Sequence, residues 1–147
     1  MDLYKLSALN TYFKRKNLNY RLPLSIPTTQ SEYNLLFINE TPIYARVAKT
    51  ASELSQGLMG VSRLDPFEGC LLDFGRDQPV TLWMKNCKIN LQAAMLDSNG
   101  LVIDIKDMNY QQPNVLHTSS LPVRYALEMS ENFFTAQGVQ VGDRLKL

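Results

Sequence analysis

Trp83, Lys85 and Asn86 stand within four residues, and with Glu128 they form the most chemically capable set in the chain. An indole offers a flat apolar face and one N–H, an ammonium a cation, and a carboxamide both a donor and an acceptor. Set around a cleft, with Glu128 as the acid, these groups would hold a small ligand. Glu128 follows the apolar run Tyr125-Ala126-Leu127, which draws it toward the interior, where Lys85 would pair with it. A purely structural reading explains the same residues and is the one preferred here: Trp83 packs the core, Lys85 is solvated and Asn86 turns the chain.

Other chemistries lack a complete set of groups. Cys87 and His117 are thirty residues apart and carry no local signature of a cysteine enzyme. Asp73, Asp77, Asp97, Asp104 and Asp107 lack the spacing of a calcium loop, and Gly57-Leu58-Met59-Gly60 lacks the lysine of a phosphate loop. Cys70 and Cys87 form no CxxC and read as free thiols. No catalytic residue, metal ligand or cofactor is assigned.

The elements that must position these groups are mainly strands. Val80, Leu82 and Met84 alternate with Thr81, Trp83 and Lys85, a strand period, and Asn86 ends the pattern. Residues 33–38 and 43–48 read as a hairpin around Asn39-Glu40-Thr41-Pro42. Thr50-Ala51-Ser52-Glu53 fits a capping box opening a short helix through about Gln56, with Gly57 at positive φ behind it. Residues 69–74 read as a strand, 75–79 as a loop, and 91–96 with 101–105 as a strand pair around Asp97-Ser98-Asn99-Gly100. After a polar loop over 109–122, residues 123–129 read as a strand, Ser130 caps a helix through Gln137, and 139–141 and 144–147 close as strands.

Ahead of all this, residues 2–16 read as an amphipathic helix with Leu3, Leu6, Leu9, Tyr12 and Phe13 on its apolar face. An extended arm with Pro23 and Pro27 follows, and the domain boundary falls near Tyr33, giving a 1–32 arm and a 33–147 domain. The fold class is therefore mainly β (α+β): a compact barrel-like antiparallel sheet with two short helices behind a helical arm.

Composition narrows the function classes. A chain that is 45% hydrophobic and 20% charged, with net charge +1, is globular and gives no strong nucleic-acid signal. The mild basic excess lies in residues 1–34, five Lys/Arg against two Asp/Glu. No apolar run reaches the roughly 18 residues of a membrane span. The N-terminus lacks a signal-peptide core, so the expected location is the cytoplasm or a particle such as a virion.

Six motifs in order then stand out. Gln56-Gly57-Leu58-Met59 precedes Glu68-Gly69-Cys70-Leu71-Leu72-Asp73-Phe74, followed by Leu82-Trp83-Met84-Lys85-Asn86 and Ala94-Met95-Leu96-Asp97 with Gly100. Arg124-Tyr125-Ala126-Leu127-Glu128 and the run from Gly138-Val139 to Val141-Gly142-Asp143-Arg144 complete them. Over roughly residues 43–147 the chain resembles the DUF192 family, small β-rich domains of unassigned function. The resemblance implies a barrel-like fold with short outer helices, and no activity or cofactor. Cys87 stands where members often have threonine, and Gln92 stands near where they often have an acid. Many bacterial relatives are exported behind a signal peptide, whose place the helix and arm take here.

Two functions are expected from this. The first is a non-enzymatic structural or interaction module, docked into a larger assembly of protein partners through Leu3, Leu6, Leu9, Tyr12 and Phe13. The alternative is a ligand-binding or enzymatic domain with a pocket at Trp83, Lys85, Asn86 and Glu128.

Overall fold

The computed structural model describes residues 33–146. The expected helix and arm, with Leu3, Leu6, Leu9, Tyr12 and Phe13, lie outside the described residues. The order is β1 (Tyr33–Ile38), β2 (Thr41–Ala48), α1 (Ala51–Gln56), β3 (Glu68–Gln78), β4 (Thr81–Leu82) and β5 (Leu91–Leu96). It continues with β6 (Val102–Met108), β7 (His117–Thr118), β8 (Val123–Ser130), α2 (Phe133–Ala136) and β9 (Leu145–Lys146).

Seven of these strands form one sheet in the order β6-β5-β8-β3-β2-β1-β9, antiparallel except for the β2–β3 pair. β4 and β7 make a separate two-stranded ribbon. The large sheet curls into a half-barrel, and its two margins meet where Leu101 bridges Arg144. The Val102 N–H donates to the Asp143 carbonyl at 2.8 Å, and the Leu145 N–H to the Gly100 carbonyl at 2.8 Å. Gly100 has φ +81, and a Cβ there would collide with the Leu145 carbonyl oxygen, so this seam needs a glycine.

Strand alternation gives the sheet two apolar faces. On one, Leu71, Ala94, Leu96, Leu127 and Met129 pack with Phe133 and Phe134 of α2. On the other, Cys70, Leu72, Ala93, Met95 and Ala126 pack beneath Leu58 and the segment carrying Val80, Leu82 and Met84. Burying both faces explains why β5 is buried along its whole length.

The alternation expected over Val80–Lys85 holds, with Val80, Leu82 and Met84 buried and Thr81, Trp83 and Lys85 exposed. The element itself does not: only Thr81 and Leu82 are strand, and Trp83 is 51% exposed rather than part of the core. The apolar parity was already filled by Val80, Leu82 and Met84, which leaves the indole on the outer face. The expected loop at 75–79 is mostly strand, because β3 runs on through a register irregularity between Asp73 and Gln78, with Gly75 at φ +88. Ser130 ends β8 instead of capping α2, whose N-cap is Asn132 at φ 63, and residues 139–141 are not strand. The first hairpin turn is tighter than expected: Asn39 takes positive φ, and Pro42 sits inside β2 opposite Phe37.

Candidate functional site

Strand register assembles a row across the second face of the sheet. Arg46 on β2 lies opposite Cys70 on β3, Cys70 opposite Glu128 on β8, and Glu128 opposite Ala93 on β5. The Arg46 guanidinium donates to the Gly57 carbonyl at 2.6 Å and lies 3.9 Å from the Cys70 Sγ. Above this row sits the C-terminal end of α1, set by the expected capping box. The Glu53 N–H donates to Thr50 Oγ1 at 3.2 Å and the Thr50 N–H to Glu53 Oε1 at 3.0 Å.

Gly57 then turns the chain at φ 46, as expected from its place. A Cβ on Gly57 would come within 3.0 Å of Glu128 Oε1, so the missing side chain lets the backbone settle directly over the carboxyl. Gly57 has nothing left to give it. Its N–H donates to the Glu53 carbonyl and its own carbonyl accepts from Arg46.

Glu128 is 5% exposed, and its Oε1 has no hydrogen-bond partner among the described residues. Burial pushes the carboxyl from 4.5 up to about 7, and the nearby Arg46 charge offsets this only in part. The group therefore changes charge near neutral pH, well above the ordinary carboxyl range.

This carboxyl lines a pocket of about 240 Å³. Leu58, Leu72, Phe74 and Leu82 supply apolar wall, Ser55, Gln56 and Thr81 polar rim, and Trp83 and Cys87 line the same space. Among the described residues no lysine or arginine lines it. Burial pushes the Cys87 thiol up, and Glu128 adds to the effect. Cys70 is pushed up to about 12, again chiefly by burial, so both free cysteines stay protonated thiols at neutral pH.

Of the four expected ligand residues, the structure brings two together: Trp83 and Glu128 share the pocket. Lys85 does not pair with Glu128; its ammonium lies over the Trp83 ring, 5.4 Å from the centroid. Asn86 makes the expected turn at φ 61, and its carbonyl accepts from the Gly60 N–H at 3.1 Å, fixing the loop that roofs the site. His117 lies on β7 opposite Leu82 and does not line the pocket that holds Cys87. Among the described residues no group of three or more His, Cys, Asp or Glu is placed to hold a metal.

Gln92 has a structural role. Its Oε1 accepts from the Phe134 N–H at 2.7 Å and the Thr135 N–H at 3.3 Å, while its Nε2 donates to Asp107 at 2.9 Å. It anchors the start of α2 on the face opposite the pocket. Sequence reasoning missed Gly57, Leu58, Leu72 and Phe74 as site residues. Cys70, Leu72 and Phe74 do share one parity on their strand, but only the strand order reveals that Glu128 faces the same way.

The geometry defines a β half-barrel domain with one buried acid at the base of a side pocket. The chain belongs to the DUF192 family, described as "Uncharacterized ACR", whose model matches residues 35–147. The match begins within β1, slightly ahead of the 43–147 expected from the motifs. None of the curated proteins matches the chain. Among solved structures it is similar to a protein of Sinorhizobium meliloti 1021 provisionally described as a transcription regulator. That pair has 30% identity and a TM-score of 0.70, over 76% of this chain and 89% of that one. It also shares its fold with a Novosphingobium aromaticivorans DSM 12444 protein described as of unknown function. There the identity is 20% and the TM-score 0.75, over 86% of this chain and 93% of that one.

Proposed function

We propose that the domain binds a small organic ligand in the pocket between Glu128 and Trp83. The observation that carries this reading is the Glu128 carboxyl: buried, without a donor on Oε1, and lining an open pocket. An unsatisfied buried oxygen costs about 1–3 kcal/mol, more when charged, and a ligand donor would recover that cost. Trp83, half exposed at the same pocket, is the natural reporter because it is the chain's one tryptophan.

The test is a panel of small amines, alcohols, sugars and acids, followed by Trp83 fluorescence and by thermal shift, since a ligand specific to the native state raises stability. The reading requires saturable hits that weaken when Leu72→Phe fills the pocket. Hits indifferent to that substitution, in a folded variant, would remove the pocket from the account.

The interaction-module reading rests on residues 1–32 and their apolar positions, so its support remains that of the sequence. Deleting residues 1–32 tests it: a folded domain that loses its protein partners supports an arm. Nucleic-acid contact, suggested by the name of one similar structure, finds little support, because residues 33–147 carry ten Lys/Arg against twelve Asp/Glu.

A further inference from the structure

The pocket's one acid and absence of bases bear on the class of its ligand. We infer that the site selects a primary ammonium group carried on a short apolar stem, with the ammonium seated on Glu128 and the stem against Leu58, Leu72 and Phe74. This rests on the pocket reading above and goes further by fixing the charge of the ligand.

Three observations carry it. Among the described residues the buried Glu128 Oε1 lacks a donor, and the Gly57 backbone beside it has committed both its N–H and its carbonyl elsewhere. An acceptor left in this state calls for a donor from outside. Among the described residues the lining contains no lysine or arginine, and the nearby Arg46 is held by the Gly57 carbonyl, so a carboxylate or phosphate entering the pocket would meet Glu128 with no lining cation to receive it. The walls beside the carboxyl are aliphatic and aromatic, suited to methylenes.

The groups around Glu128 set the pH behaviour. β2 contributes Arg46, tied to Gly57; β3 contributes the Cys70 thiol; β5 contributes only Ala93. α1 contributes Glu53, held in its capping box with its carboxyl below the usual range, and the segment after β4 contributes the Cys87 thiol. Cys70 and Cys87 are pushed up and Glu53 down, which leaves Glu128, at about 7, as the group that titrates near neutral pH. An entering ammonium must find the carboxylate, so at lower pH binding releases the carboxyl proton to solvent.

The experiment uses the full chain with n-butylammonium, 1-butanol and butyrate as isosteric probes, read by Trp83 fluorescence and thermal shift. At pH 8 the ammonium should bind at least tenfold more tightly than the alcohol, and butyrate should be excluded. Ammonium affinity should fall about tenfold per pH unit below 7, while alcohol affinity stays level. Glu128→Gln should abolish the preference for the ammonium over the alcohol. A peptide amide of Nα-acetyl-lysine forms a further arm: tighter binding than butylammonium assigns the ammonium to a lysyl side chain of a polypeptide, equal or weaker binding to a free amine. Alcohol binding equal to ammonium binding, or a preference that survives Glu128→Gln, overturns the ammonium inference and leaves the pocket standing. Failure of all three uncharged and charged probes to bind overturns both.

Discussion

Glu128→Gln should stabilise the domain, and by an amount that depends on pH. The carboxyl is lifted by burial from 4.5 in the unfolded chain to about 7 in the fold. At about 1.4 kcal/mol per pH unit, that difference corresponds to about 3 kcal/mol. Because the folded value is the higher one, folding favours the protonated acid. The favourable contribution is complete below pH 4.5, declines between 4.5 and about 7, and is lost above that range. A carboxamide has nearly the same shape and does not titrate. The stability difference between variant and parent should therefore be small at pH 4 and grow to about 3 kcal/mol at pH 8. Urea unfolding followed by circular dichroism at pH 4, 6 and 8 measures it. Any hydrogen-bonding offset of the carboxamide shifts all three points alike, so the slope is the signal. Parallel pH profiles for the two proteins would refute the reasoning, because they would mean that Glu128 is not the buried titrating group.

Further outcomes follow from neighbouring residues. Trp83→Ala should change stability by about 0.5 kcal/mol or less, since the ring is 51% exposed, whereas Met84→Ala, at 0% exposure, should cost about 2–5 kcal/mol. Comparing their thermal unfolding checks the reversed roles. Gly57→Ala should cost about 1–3 kcal/mol, combining a non-glycine residue at φ +46 with a methyl 3.0 Å from Glu128 Oε1. It should also weaken any pocket ligand, a loss visible in Trp83 fluorescence titrations. Gln92→Ala should cost about 1–3 kcal/mol by leaving the buried Phe134 N–H unpaired. Hydrogen exchange should show faster opening at residues 133–136, with ligand binding unaffected.

Local signals were the most readable in the sequence. The capping box at Thr50, positive φ at Gly57 and the turn at Asn86 each depend on a few adjacent residues, and each appears as expected. The alternation of Val80, Leu82 and Met84 was also correct, yet it did not tell which face would carry Trp83's ring into solvent. Length and pairing were harder. β3 continues through Gly75 because its neighbour β8 resumes pairing at Gln78, a long-range contact that no local composition encodes. The site was half legible for the same reason. Trp83 and Glu128 were expected together, but Lys85 was assigned to Glu128 by charge alone, and instead it stacks on the indole. Gly57 and Leu72 enter the pocket only through the strand order β5-β8-β3-β2, which brings distant segments of chain side by side.

The seam between Leu101 and Arg144 has a consequence for synthesis and handling of the protein. β9 is made after every other strand of the sheet, yet it supplies the outer pairing partner for β1 and, through Arg144, the contact at Leu101. Until it docks, the stretches of margin that this last segment covers, at Phe37–Ile38 and at Leu101–Val102, are open to pairing with a second copy edge to edge. Loss of residues 143–146 would therefore show first as aggregation at expression, while the pocket strands β2, β3 and β8 remain paired with one another.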